Sequence, residues 1–188
     1  MARIIILSAP SGGGKSTIIS HILNDERLRL RFSVSATSRQ PREGEVDGVN
    51  YYFITAEQFQ QAIADDALVE WQEVYPGRFY GTLKGEIEKI EAEGYNAMLD
   101  IDVKGAVNVK SKFGAQVLAI FIQPPSIEVL RERLVKRGTE TPESLEQRVS
   151  KAEYEMTFAP HFDHVVVNDV LDVAVEEVRQ LILNFINA

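Results

Sequence analysis

At 188 residues, with a formal net charge of −8, 45% hydrophobic and 26% charged residues, the chain has the composition of a single globular unit with one substantial core. The acidic balance argues against a general nucleic-acid-binding surface, and no apolar run approaches the roughly 20 residues that span a bilayer. Zero cysteines exclude disulfides and thiolate metal sites, and the scattered His21, His161 and His164 do not suggest a zinc centre; a cytoplasmic setting is expected.

The N-terminus has too short an apolar stretch for a signal peptide and leads directly into a buried strand over 4–7. A glycine-rich turn follows, then a helical pattern over 16–23. The segment from about Phe32 to Gly81 breaks the rhythm: "RFSVSA" and "NYYFIT" read as exposed strands, and Thr55 with Gln58 forms a capping-box start to a helix through Ala62 and Ile63. A small inserted subdomain is expected there. Leu83, Ile87 and Ile90 recur at helical spacing before Gly94, and buried strands are expected over 97–101 and 117–122. Ser126 is placed to cap a helix carrying Ile127, Leu130 and Leu134 on one face and ending near Gly138. Thr141 followed by Pro142 starts another helix, with proline where its missing N–H costs nothing. A short strand over 165–167 precedes a last helix, which Asp172 is expected to cap and whose stripe is Ala174, Val178, Leu181, Ile182 and Phe185. Buried strands alternating with helices predict an α/β fold, a parallel sheet covered by helices on both faces.

Three stretches carry chemistry. "SAPSGGGKST" lies between the first strand and the first helix, where consecutive backbone N–H groups and a helix N-terminus converge on an anion. Lys15 then supplies a mobile charge for the outer phosphates of a nucleotide, and Ser16 a hydroxyl for Mg2+. Ala9 stands where the usual G-x-x-x-x-G-K-[ST] pattern begins with glycine; Gly14, Lys15 and Ser16 are in place. The second stretch, "YNAMLDID", ends in Asp100 and Asp102, two apart on a strand and so on one face at its carboxyl end, where open α/β sheets place their ligands. One acid is positioned to organise magnesium; the other either touches a substrate or caps the helix that begins near Val103. In the third, Pro41 sets Arg39 and Arg42 on an extended loop, where two forked guanidiniums with Ser35 and Tyr51 nearby suit a phosphate monoester. The basic run Arg131, Arg133, Lys136 and Arg137 is either a solvated helix face or an anion-binding cluster.

"SAPSGGGKST", "FSVSATSRQPREGEVDGVNYYF", "LVEWQEVYPGRFYGT", "MLDIDVKGA", "PPSIEVLRERLVKRGTET" and "VVVND" follow one another in the order and spacing of the guanylate kinases, and the chain resembles that family over nearly its whole length. The resemblance implies a P-loop NTPase fold with core segments 1–33, 87–125 and 158–188, a GMP-binding subdomain over about 34–86 and a helical lid over about 126–157. It also implies transfer of the γ-phosphoryl group of ATP to GMP. Ser11, Gly12, Gly13, Gly14, Lys15, Ser16 and Thr17 would hold ATP together with Arg133, Arg137 and Asn168, and Ser16 and Asp100 would hold Mg2+. Arg39, Arg42, Tyr51 and Tyr80 would hold the GMP phosphate, while Ser35, Glu70, Thr82 and Asp102 would read guanine. Lys15, Arg39, Arg137 and Arg148 would stabilise the transferring group. Thr82 stands where many relatives carry serine. Neither a nucleic-acid nor a membrane partner is implied, and the oligomeric state is left open.

Overall fold

The computed structural model describes residues 3–136, 138 and 141–188. Five strands, β1 (Ile4–Ser8), β2 (Leu30–Phe32), β7 (Asn96–Asp100), β8 (Val117–Gln123) and β9 (His164–Val167), form a sheet in the order β2-β7-β1-β8-β9. Every neighbouring pair in it is parallel. Its central strands β1, β7 and β8 are buried on both faces, so their side chains alternate between two apolar layers rather than between core and water, while the edge strands β2 and β9 keep one face exposed. On β1, Ile5 and Leu7 enter the layer that holds Ile18 and Ile22 of α1 (Lys15–Ile22) and Val178 and Ile182 of α7 (Leu171–Ile186). Ile4 and Ile6 enter the opposite layer, with Ile90 of α3 (Lys84–Ala92) and Ala106 and Val109 of α4 (Val103–Phe113). Each of these fully buried aliphatic side chains contributes about 1.5–3 kcal/mol relative to exposure, which fixes the sheet as the rigid platform for whatever its carboxyl edge carries.

A second sheet runs β4-β3-β6-β5 and comprises β3 (Ala36–Thr37), β4 (Tyr52–Phe53), β5 (Leu68–Tyr75) and β6 (Arg78–Leu83), with α2 (Ala56–Ala64) against it. It has its own core, in which Phe59 and Phe79 stack with ring centroids 5.3 Å apart. Gly81 is required by close approach: a Cβ there would lie 2.6 Å from the Glu70 carbonyl oxygen and 3.1 Å from the Phe59 ring. The capping box at Thr55 and Gln58 is formed as its sequence spacing predicts.

Two helices, α5 (Ile127–Lys136) and α6 (Pro142–Met156), pack on each other through Leu130, Leu134, Val149 and Ala152. Ser126 caps the first, its hydroxyl accepting the Val129 N–H, and Thr141 caps the second, ahead of Pro142 in its first turn.

Three local expectations are corrected. "RFSVSA" is not one exposed strand: Leu30–Phe32 joins the edge of the large sheet by pairing with β7, and only Ala36–Thr37 belongs to the small sheet. Leu83 ends β6 and immediately precedes α3 instead of forming its first turn. Asp172 does not cap α7; Val170 holds the cap position, so Asp172 contributes only negative charge in the first turn.

Candidate nucleotide site

The loop between β1 and α1 is a glycine-rich turn that runs straight into a helix N-terminus. Gly14 ends it in the left-handed region at φ 89°, directly before Lys15 opens the helix, and a Cβ there would strike Asn168 Nδ2 at 2.2 Å. That contact has a function in the loop's architecture. Buried Asn168 donates its amide to the Gly13 carbonyl at 2.9 Å, while its own backbone carbonyl accepts from Arg133 Nη2 at 2.8 Å. The strand-end asparagine therefore links helix α5 to the phosphate loop. A cavity of about 320 Å³ opens on this side, lined by Gly12, Gly14, Thr17, Arg133, Asn168 and Leu171 among others.

On the other side of the loop, Lys15 forms an ion pair with Asp100, which β1–β7 pairing sets beside Leu7 at the carboxyl end of the sheet. The α6 helix reaches the same loop: Arg148 donates to Ser11 Oγ at 3.2 Å, and the Ser11 N–H faces Glu155 Oε2 at 3.4 Å. Glu155 is buried, and burial raises its carboxyl pKa above the usual carboxylate range. Arg137 falls outside the described residues, as do Met1, Ala2, Thr139 and Glu140.

A second cavity, of about 270 Å³, lies between the two sheets. Ser35, Tyr51, Glu70, Tyr80, Asp100 and Asp102 line it, as do Gln72 and Gly81. Glu70 and Thr82 face each other across the β5–β6 pair, and the Thr82 hydroxyl donates to Glu70 Oε1 at 2.8 Å. Thr82 is fully buried and lies behind Glu70, so it acts through that carboxylate rather than at the cavity wall. Burial pushes the Glu70 carboxyl up to about 7, with the neighbouring Asp102 charge adding to the effect and the Thr82 hydrogen bond opposing it. Asp102 does both things its sequence position allowed: it caps α4, with Oδ1 accepting the Gly105 N–H at 2.8 Å, and it lines the cavity.

At the rim, Arg39 stacks over the Tyr51 and Phe53 rings at 5.0 and 5.5 Å and is gripped by Glu45, with Nη1 and Nη2 each 2.6 Å from a carboxylate oxygen. The Arg42 N–H also donates to Glu45, at 2.7 Å, while the Arg42 side chain is exposed. The Arg39 guanidinium, and after it the Arg42 N–H, hold the Glu45 carboxyl down at about 2, and the Arg39 pKa is raised in turn. Arg131 proves to be a helix-face residue, paired with Glu146 of α6, whereas Arg133 of the same run turns to the loop.

Sequence reasoning missed Gln72, Glu45 and Glu155. Gln72 was accessible: on a strand it shares a face with Glu70, two residues earlier. Glu155 carries no local signal, because its partner Ser11 is 144 positions away.

Comparison with known proteins gives the family. The family model described as guanylate kinase matches residues 1–184. Among similar curated proteins, guanylate kinase of Bacteroides fragilis is 51% identical over 98% of this chain and 90% of its own length, and that of Porphyromonas gingivalis is 51% identical over 99% of each. The crystal structure of guanylate kinase from Anaplasma phagocytophilum superposes with a TM-score of 0.73 at 29% identity, covering 96% of this chain and 84% of that one. With the family model matched over residues 1–184 and relatives 51% identical over 98–99% of the chain, the protein belongs to the guanylate kinase family.

Proposed function

We infer that the chain transfers the γ-phosphoryl group of ATP to GMP, giving ADP and GDP. The observation that carries this assignment is the cavity in which Glu70 and Asp102 stand together beside Asp100, itself paired with the phosphate-loop Lys15. Guanine presents N1–H and N2–H₂ donors on its pairing edge, which suit two carboxylates; adenine presents an acceptor at N1 and would leave a buried carboxylate without a partner. Ser35, Glu70 and Asp102 read the base, with Thr82 behind Glu70. Tyr51, Tyr80, Arg39 and Arg42 hold the monophosphate.

ATP lies along the other cavity. The loop 11–14 and the start of α1 receive its phosphates, Lys15, Ser16 and Thr17 follow, and Arg133 and Asn168 flank the loop. Mg2+ fits the donor chemistry of Ser16 and Asp100. Both offer hard oxygen ligands, and among the described residues no cluster of three or more His, Cys, Asp or Glu side chains competes to form an all-protein cage, as suits an ion that keeps waters and phosphate oxygens. When bound it would neutralise charge on the transferring phosphates.

A GMP phosphate oxygen attacks the γ-phosphorus in line, the new P–O bond forming as the bond to the β,γ-bridging oxygen breaks, and ADP leaves with the electron pair. The nucleophile is already anionic, so no general base is needed; the work is positioning and charge stabilisation by Lys15, Arg39, Arg137 and Arg148. The segment 34–86 and the lid 126–157 close over both nucleotides on the core of 1–33, 87–125 and 158–188, which keeps water from the phosphoryl group. A cytoplasmic location accords with substrates of this kind; no helix among the described residues is long and apolar enough to cross a membrane.

The test is ADP release from MgATP with GMP, AMP, CMP, UMP or no acceptor in a coupled assay. Turnover with GMP alone is expected; silence with every acceptor from a folded sample would remove the assignment.

A further inference from the structure

Gln72 projects from β5 on the face that carries Glu70, opposite Tyr80 of β6, and lines the same cavity. Its side-chain amide donates to Asp102 Oδ1, the oxygen that also accepts the Gly105 N–H. Capping α4 needs only the Gly105 bond. The second bond comes from the other sheet, crosses the cavity and adds nothing to the helix end. Its effect is to fix the plane of the carboxylate, leaving Oδ2 without a hydrogen bond among the described residues. Glu70 has the same pattern: Thr82 holds Oε1 at 2.8 Å, and Oε2 lies against Gly105, at 3.0 Å from the position a Cβ there would take. Each carboxylate thus has one oxygen anchored by a protein donor and one left over, two acceptors for the two kinds of donor on the guanine edge.

We propose that Gln72 is a specificity-determining positioning residue, which holds Asp102 across the gap between the two sheets so that its second oxygen meets the guanine edge. The inference rests on the assignment of this cavity to GMP. Gln72 acts through Asp102 and not on the phosphates, so its loss is felt in the recognition of GMP and not in transfer. The amide also serves selectivity by saturating Oδ1 with a donor: the carboxylate cannot swing to bring both oxygens to an incoming base, and an edge lacking adjacent donors finds no compensating arrangement.

The experiment is steady-state kinetics of Gln72→Met, which keeps length and removes the donor, and of Gln72→Glu, which adds a like charge beside Asp102. Turnover of GMP by the unaltered protein comes first, so that failure of the GMP assignment is seen separately. The methionine variant is expected to raise KM for GMP about tenfold, the loss of one hydrogen bond to a charged acceptor, with kcat and KM for ATP within about twofold of the parent; the glutamate variant is expected to be worse in the same parameter. An unchanged KM for GMP, or a parallel loss in KM for ATP, would overturn the role. A mutant cycle then separates positioning from direct contact: in an Asp102→Ala background, Gln72→Met should cost no further GMP affinity measured by calorimetry, and a fully additive loss would show that Gln72 touches the base itself.

Discussion

Replacing Glu70 by glutamine should stabilise the protein and spoil its function at once. Glu70 sits between the sheets with its carboxyl raised from 4.5 to about 7. A carboxyl with a raised folded-state pKa binds its proton more tightly in the folded chain. Below about pH 4.5 it is protonated in both states and costs nothing; as pH rises from there through 7 the unfolded chain gives up the proton first, and stability falls until the folded group has ionised too. The full shift corresponds to about 3 kcal/mol. Glutamine keeps the volume, retains an oxygen to accept the Thr82 hydroxyl proton and never ionises. The variant should therefore match the parent near pH 4.5 and exceed it at pH 8, by roughly 6–12 °C in melting temperature for a chain of this size. GMP would lose a charged acceptor, so KM for GMP should rise at least about tenfold while KM for ATP stays put. Melting curves at both pH values, with the coupled assay at pH 8, test this. An equal offset in melting temperature at both pH values would refute the burial argument, and equal losses toward GMP and ATP would refute the base-reading role.

Lys15→Ala should cut turnover at least about 10²-fold while leaving the far-ultraviolet circular dichroism and melting temperature nearly unchanged, since its partner Asp100 stays partly solvated; near-normal turnover would remove the phosphate-loop assignment. Asn168→Ala deprives the Gly13 carbonyl of its donor and should raise KM for ATP several-fold and destabilise by about 1–3 kcal/mol, read by kinetics and thermal melts; an unaltered KM for ATP would mean that the loop holds its shape without the clamp. Chelation of Mg2+ should abolish turnover, and excess Mg2+ should restore it; activity that persists in chelator would exclude Ser16 and Asp100 as ligands of a required ion.

Much of the platform was legible because its signals are local. The alternation of Ile4 to Leu7 between two layers, the glycines before Lys15 and the capping residues Thr55, Ser126 and Thr141 each act within a few positions of themselves. The β5–β6 hairpin was not read from the sequence: Trp71, Val74 and Tyr75 are exposed, which blurs the alternation that marks a half-buried strand. Asp172 misled because an aspartate before an apolar stripe is an ordinary capping signal, whereas Val170 begins the turn with the strand before it setting the entry. Contacts such as Arg133 with Asn168 and Ser11 with Arg148 join segments 35 and 137 positions apart, and no spacing rule reaches that far.

The ion pairs and acid contacts at the site share a property that bears on affinity. In the absence of nucleotide the protein's own carboxylates face groups that would hold phosphate: Asp100 on Lys15, Glu45 on the Arg39 guanidinium, Glu155 on the Ser11 N–H. An arriving phosphate gains only the difference between its own contact and the one it displaces or shares, so ground-state binding of two polyanions stays moderate. The cations are meanwhile kept oriented, which removes the reorganisation that would otherwise accompany the transition state. Asp100 and Glu45 respond differently to the arriving nucleotides. Under the proposed function, Lys15 would turn to the outer phosphates of ATP and leave Asp100 free as one of the residues that would hold Mg2+. Glu45 holds the two terminal nitrogens of Arg39 in a bidentate grip, with the Tyr51 ring beneath the guanidinium. Under that function one internal anion, Asp100, would give way to the substrate, while Glu45, with both oxygens on Arg39, would stay to aim the arginine.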